Sequence, residues 1–190
     1  MIETVLLAIS SFVGTNIDDI LINTLCFSLA KTKRERYKVV IGKYVGIGIL
    51  ILISVLGALG LQWLPKSYLD YLGVVPILLG LKEILSTFYK RNVDAEAPTE
   101  QTESNLIVHT ALLTIANGAD NVGVYLPLFA GFTIWQILLT AGIFFLMTAP
   151  WCVLGYLLAN LPMLKTALTK YRPILVPIVY IALGIYIFLR

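Results

Sequence analysis

Charge is scarce in this chain of 190 residues: 14 Lys and Arg with 11 Asp and Glu make up only 13% of it. With 58% hydrophobic residues and a mean hydropathy of +0.87, the composition departs from that of soluble globular proteins, and the bilayer becomes the expected solvent. Histidine occurs once, as His109, and cysteine twice, as Cys26 and Cys152, with no CxxC pair and no histidine beside either. A zinc motif is thereby excluded, and both thiols read as small buried apolar groups that say little about redox compartment. Neither a soluble enzyme's nucleophile arrangement nor a phosphate-binding loop is present, which excludes ATP hydrolysis as a driving force.

What the chain has in quantity is apolar sequence. Hydrophobic stretches run approximately from Thr4 to Ala30, Val39 to Leu64, Leu69 to Phe88, Leu106 to Phe132, Trp135 to Leu158 and Ile174 to Leu189. Most of them reach the ~20 residues that a membrane-spanning helix needs, and the last is short. The expected fold is an all-α integral membrane protein with six transmembrane helices. The first stretch lacks a basic start and carries two aspartates in its middle, so it is expected to be a mature helix rather than a signal peptide.

The net charge of +3 does not point to nucleic acid, because the basic residues gather in loops instead of along a face. Lys31, Lys33, Arg34, Arg36 and Lys38 crowd the first loop, Lys90 and Arg91 follow the third stretch, and Lys165, Lys170 and Arg172 occupy the fifth loop. The opposite side offers Lys66 and Arg190, so these three loops are expected to be cytoplasmic and both termini outside. The polar segment from Tyr89 to Asn105, with Asp94, Glu96, Glu100, Glu103 and Pro98, reads as a flexible cytoplasmic linker. It divides the chain into a first three-helix repeat at 1–88, the linker at 89–105 and a second three-helix repeat at 106–190.

The halves echo each other: Val75-Pro76-Ile77-Leu78 in the third stretch is answered by Val176-Pro177-Ile178-Val179 in the sixth. With three helices per half, the second half enters the membrane from the opposite side, which gives two inverted repeats with a shared site near the midplane. Gly42, Gly46 and Gly48 open the second helix, and the Gly42 to Gly46 spacing suits a close crossing either within the monomer or in a homodimer.

Two polar clusters interrupt the apolar stretches at matching places in the halves: Asn16-Ile17-Asp18-Asp19 and Asn117-Gly118-Ala119-Asp120-Asn121. Ionisable groups at membrane depth are costly and usually mark an ion or proton pathway. At about 100° per residue, Asn16, Asp19 and Asn23 share one helical face while Asp18 points some 100° away, so a distortion near Gly14 and Thr15 is expected to bring both carboxylates to one cavity. In the fourth stretch Asn117, Asp120 and Asn121 share a face, Gly118 weakens the helix between them and Pro127 follows, so an opened backbone is expected there. Three carboxylates and several amide oxygens suit a divalent cation, whose double charge compensates the acids. The alternative, that these groups only tie helices together, applies best to Asn23. No intramembrane lysine or arginine stands out to neutralise the aspartates, since Lys43, Lys82 and Glu83 are expected to reach the interface. His109 is expected near the cytoplasmic mouth of the fourth helix, as an interfacial residue or a proton relay. Tyr125 is expected to border the cavity.

At these residues the chain resembles the cadmium resistance transporters of the CadD type, within the lysine exporter superfamily. The matching stretches are Thr15-Asn16-Ile17-Asp18-Asp19, Ile41-Gly42-Lys43-Tyr44-Val45-Gly46 and Gly118-Ala119-Asp120-Asn121-Val122-Gly123-Val124-Tyr125-Leu126-Pro127, the last being the most specific. Length, helix count and the polar central loop agree as well, so the resemblance covers most of the chain. It implies a multi-pass exporter of the bacterial plasma membrane, linked to cadmium tolerance. The family pattern carries over to Asp18, Asp120 and Asn121. Asp19 and Asn117 stand where members vary, some having a cysteine in place of Asn117, so an amide replaces that soft ligand here.

The expected activity is secondary export of a divalent cation, cadmium first by the resemblance, in exchange for protons. Asp18, Asp19, Asp120 and Asn121 are the expected metal ligands, with Asn16 and Asn117 in support. An oxygen-rich set matches manganese or calcium at least as well as cadmium, and superfamily relatives move manganese or amino acids. Export of a small cationic solute such as an amino acid is the second reading. A membrane scaffold and an intramembrane aspartyl protease are remoter ones. No enzyme activity and no resident cofactor are expected.

Overall fold

A computed structural model describes residues 1–61, 68–69, 71–89 and 106–189, with the side chains of 18, 83, 86–89, 162–173 and 175 outside the description. All of the regular structure in these residues is helical. Helix α1 spans Ile2–Leu29 and α2 Lys33–Leu61. A single 3-10 turn, Tyr71–Gly73, leads into α3, Val74–Tyr89. Beyond residue 105 come α4, Leu106–Ala116, α5, Ala119–Ala130, α6, Ile134–Asn160, and α7, Pro162–Leu189. Helices α2 and α6 are long and apolar enough to cross a membrane, and α1 becomes a third when it is counted across its bend.

Local chemistry sets several boundaries. Thr32 Oγ1 accepts from the Glu35 amide at 3.2 Å and Glu35 Oε2 accepts from the Thr32 amide at 3.1 Å, a reciprocal cap that starts α2. The basic residues from Lys33 to Lys38 therefore lie on the first turns of α2 and not in a loop, with Arg36 donating to the Tyr156 hydroxyl at 3.1 Å. Thr133 and Gln136 form the same reciprocal cap at the start of α6. The expected fifth loop is also helical: α7 begins at Pro162, whose missing N–H costs nothing in a first turn, and the backbone runs on through Lys165, Lys170 and Arg172. Alanine, leucine, lysine and arginine are good helix formers, and the helix runs on past Pro173. The side chains of these basic residues, like Lys66, Lys90, Arg91 and the linker, lie outside the described residues.

Two interruptions matter for function. The axis of α1 turns by 62° between Ile2–Ile17 and Asp19–Leu29. At this bend the Trp151 indole donates to the Asn16 carbonyl at 2.8 Å, an acceptor that a straight helix assigns to the amide four residues on. The fourth apolar stretch is broken at Asn117-Gly118 into α4 and α5, where the Gly118 amide takes the Ile115 carbonyl at 3.0 Å in a tightened last turn. The Leu50 side chain lies against Gly118 where a Cβ would stand, so only glycine lets α2 come this close.

The largest contacts join α1 to α6, α2 to α4 and α5, and α3 to α7. Their centre is aromatic: Tyr125 and Phe144 lie 4.4 Å apart, and Phe12 packs on Phe144 and Trp151 at 5.6 and 5.5 Å. Close crossings replace interdigitated side chains elsewhere. A Cβ on Gly42 would meet the Ile107 carbonyl at 2.5 Å, and one on Gly46 would meet Thr114 at 2.6 Å, so the small stripe of α2 is used inside the chain against α4. At the α3–α7 contact a Cβ on Gly184 would lie 2.6 Å from the Gly73 carbonyl, and one on Gly73 would lie 2.5 Å from the Gly184 carbonyl. Outward positions such as Leu6, Leu52, Leu112, Leu146 and Val153 are exposed apolar groups, as expected where lipid is the solvent.

Candidate ion-binding site at two helix interruptions

The bend of α1 and the start of α5 face each other. Thr15, Asn16, Asp19 and Asn23 are all buried on the inner side of α1, with Asn16 wholly inaccessible. Opposite them, Asp120 and Asn121 occupy the first turn of α5, where the backbone N–H groups and the helix dipole favour a carboxylate. The Asn16 Nδ2 donor faces Phe12 O at 3.0 Å, Thr15 Oγ1 at 3.1 Å, Tyr125 OH at 2.9 Å and Asn121 Oδ1 at 3.4 Å. Thr15 Oγ1 also lies 2.9 Å from the Tyr125 hydroxyl. An amide nitrogen has only two hydrogens, so four acceptors crowd a group that can serve two of them. Meanwhile, among the described residues, Asn16 Oδ1 is buried with no donor and Asn121 Nδ2 is buried with no acceptor. Buried polar atoms are normally paired, and an oxygen surplus without donors is what a cation relieves.

The two clusters, 105 residues apart in sequence at Asn16 and Asn121, thus meet in space. Asp120 belongs to the same region: Tyr180 on α7 donates its hydroxyl to Asp120 Oδ2 at 2.6 Å. Asn117 sits half-buried in the turn between α4 and α5, and no described side-chain hydrogen bond ties it to the others. The backbone of Asp18 lies at the bend, while its side chain is outside the described residues. Among the described residues, no three His, Cys, Asp or Glu side chains draw together as a metal cluster, so the site rests on amide, hydroxyl and separated carboxylate groups.

One expectation is overturned. Lys43 does not reach the interface: it is 1% exposed and its ammonium forms an ion pair with Asp19, itself 1% exposed. The aspartates are therefore not free of basic neighbours. Gly42 and Gly46 let α2 sink against α4, and the residue between them is drawn below the depth from which a lysine stem reaches water. A charge held there needs a partner, and Asp19 supplies it. The ammonium also lies within electrostatic reach of Asp120 and Cys152.

Asn23 does the structural work foreseen for it, donating to the Trp151 carbonyl at 2.9 Å where Gly155 leaves room. Cys26 and Cys152 are free, buried and part of one small apolar cluster with Phe27, Ala30 and Val39. His109 is half-buried on α4 with no partner for Nδ1. Lys82 is exposed near the end of α3. Tyr125 borders the site as expected. Tyr180 and Trp151 were not foreseen. Tyr180 directly follows the Val176-Pro177-Ile178-Val179 echo, and that position was its one sequence signal.

A family model for cadmium resistance transporters matches residues 12–190, nearly the whole chain and all of the groups just described. The chain belongs to the cadmium resistance transporter family. No curated protein and no solved structure matches the chain. The cadmium resistance transporter family is one of transporters and not of enzymes, so membership points to metal-ion transport with the membrane as its setting. The match starts at Phe12, so both polar clusters and Lys43 fall within it.

Proposed function

We propose that the protein exports a divalent cation, cadmium, from the bacterial cytoplasm in exchange for protons. The observation that carries this reading is the meeting of Asn16 and Asn121 at two helix interruptions, with a buried Asn16 oxygen that no donor among the described residues satisfies. Asp18, Asp120, Asn16 and Asn121 hold the ion, with Asp19 and Asn117 completing its surroundings. Carboxylates supply the charge and amides the neutral oxygens, a mixture that oxygen-preferring divalent ions accept. When the ion leaves, the carboxylates take up protons in its place, and the competition couples the two flows. Manganese is the second reading, favoured by the same oxygen-rich donor set.

The transport cycle is alternating access by two inverted three-helix repeats in a six-span, multi-pass protein with both termini outside. The packing supports this arrangement. Exchanging the first three apolar segments with the last three carries the α1–α6 contact onto that of α2 with α4 and α5, and returns the α3–α7 contact to itself.

Calorimetric titration of the purified protein with cadmium, manganese, zinc and calcium tests the reading. Cadmium should bind saturably, and Asp120→Asn and Asp18→Asn should each abolish the heat. Manganese binding alone would keep the site and change the cargo. Absence of binding by all four metals across pH would overturn it and favour an organic cation.

A further inference from the structure

We propose that Lys43 is a tethered counter-cation: its ammonium holds the carboxylates of the empty site and is displaced when the transported ion enters. This rests on the metal-export reading above and assigns a role to a residue that reading leaves unused. Three features of the ion pair carry it. Lys43 and Asp19 join two different helices, α2 and the bent α1, at a point where both side chains are 1% exposed. The pair is poorly satisfied: an ammonium has three N–H groups, yet among the described residues Lys43 Nζ meets only Asp19, and Asp19 Oδ1 has no donor. A buried ion pair that serves only stability needs those remaining groups met, because attraction alone barely repays desolvation. Here half of the carboxylate stays open to a second cation. Finally, the charge of Asp120, the acid supplied by the other half of the chain, acts on the same ammonium, which ties the Lys43–Asp19 pair electrostatically to the second polar cluster.

A positive charge in that position does two things. Together with the protons that the other carboxylates take up, it keeps the ion-free site from holding adjacent uncompensated charges, which lets the carrier close and return. It also competes with the cargo, so the site binds a cation only if that cation outbids an ammonium already in place. A divalent ion does so with twice the charge, whereas a monovalent ion gains nothing over the tether. The apparent affinity is then reduced by the fraction of sites that the tether occupies.

The test compares cadmium isotherms of the wild-type protein with those of Lys43→Met and Lys43→Arg, alongside cadmium efflux from proteoliposomes. Lys43→Met should bind cadmium about tenfold tighter or more, the gain expected if the tether fills nine sites in ten, and yet lose efflux. Lys43→Arg, which keeps a tethered cation, should stay near the wild-type affinity. Wild-type binding that Lys43→Met fails to tighten overturns the tether and leaves the export reading standing. Failure of every form to bind any of the metals overturns the export reading together with the tether. Should Lys43→Met not fold, reductive methylation of the wild-type protein decides by mass spectrometry. Greater labelling of Lys43 with cadmium present supports displacement, and unchanged labelling overturns it.

Discussion

Asn16 and Asn23 sit two turns apart on the same face of α1, and their surroundings separate a ligand from a tie. Asn23 spends its Nδ2 on the Trp151 carbonyl, whereas the Asn16 Nδ2 has more acceptors around it than hydrogens to give; the Oδ1 of each finds no donor among the described residues. Asn23→Leu should therefore lower the thermal midpoint, at a cost of about 1 kcal/mol for one lost hydrogen bond, while leaving cadmium binding in place. Asn16→Leu should abolish the binding heat; calorimetry on both variants distinguishes them. Tyr180→Phe removes the donor 2.6 Å from Asp120, a bond to a charged group worth about 1.5–3 kcal/mol, and should weaken cadmium binding and lower the midpoint together. Sequence spacing sufficed to place Asn16, Asp19 and Asn121 on the inner faces, because a single polar cluster within an apolar run leaves few other choices. It did not place Lys43. A four-carbon stem permits either burial or escape to water, and only the depth at which Gly42 and Gly46 seat α2 decides between them.

At the scale of elements, the polar clusters announced their own distortions. The first lies at the 62° bend and the second at the α4–α5 break, as expected where helix-weakening residues accompany groups that need irregular backbone. What the sequence did not disclose is the partner at the bend, since Trp151 donates from another helix, 135 residues away. Trp151→Phe deletes its N–H and leaves the Asn16 carbonyl to the helix ladder alone. Spin labels near the two ends of α1 should then move apart, which pulsed electron resonance measures. The start of α7 also escaped the sequence, because a basic segment carrying leucine and lysine reads as a loop by charge and as a helix by propensity. Gly46→Leu should be severe: its Cβ alone already falls 2.6 Å from Thr114, and overpacking a crossing typically costs about 1–3 kcal/mol or more. Loss of monodisperse protein on gel filtration is the expected result.

For the whole molecule, the Val-Pro-Ile echo and the polar segment at 89–105 are the sequence features on which the proposed division into inverted halves rests, together with the pattern of helix contacts. Neutralising Asp94, Glu96, Glu100 and Glu103 to amides should leave cadmium efflux largely intact, whereas near-total loss would assign that segment a role in ion capture. The α3–α7 contact, where Gly73 and Gly184 bring two backbones together, has a consequence for motion. Side chains that interlock act as teeth and resist shear; the point where the Gly73 and Gly184 backbones touch has none between them. In the alternating-access cycle proposed above, that point would serve as a bearing on which one half turns over the other. A burr on that bearing, as in Gly184→Val, should leave a carrier that loads its ion and then jams.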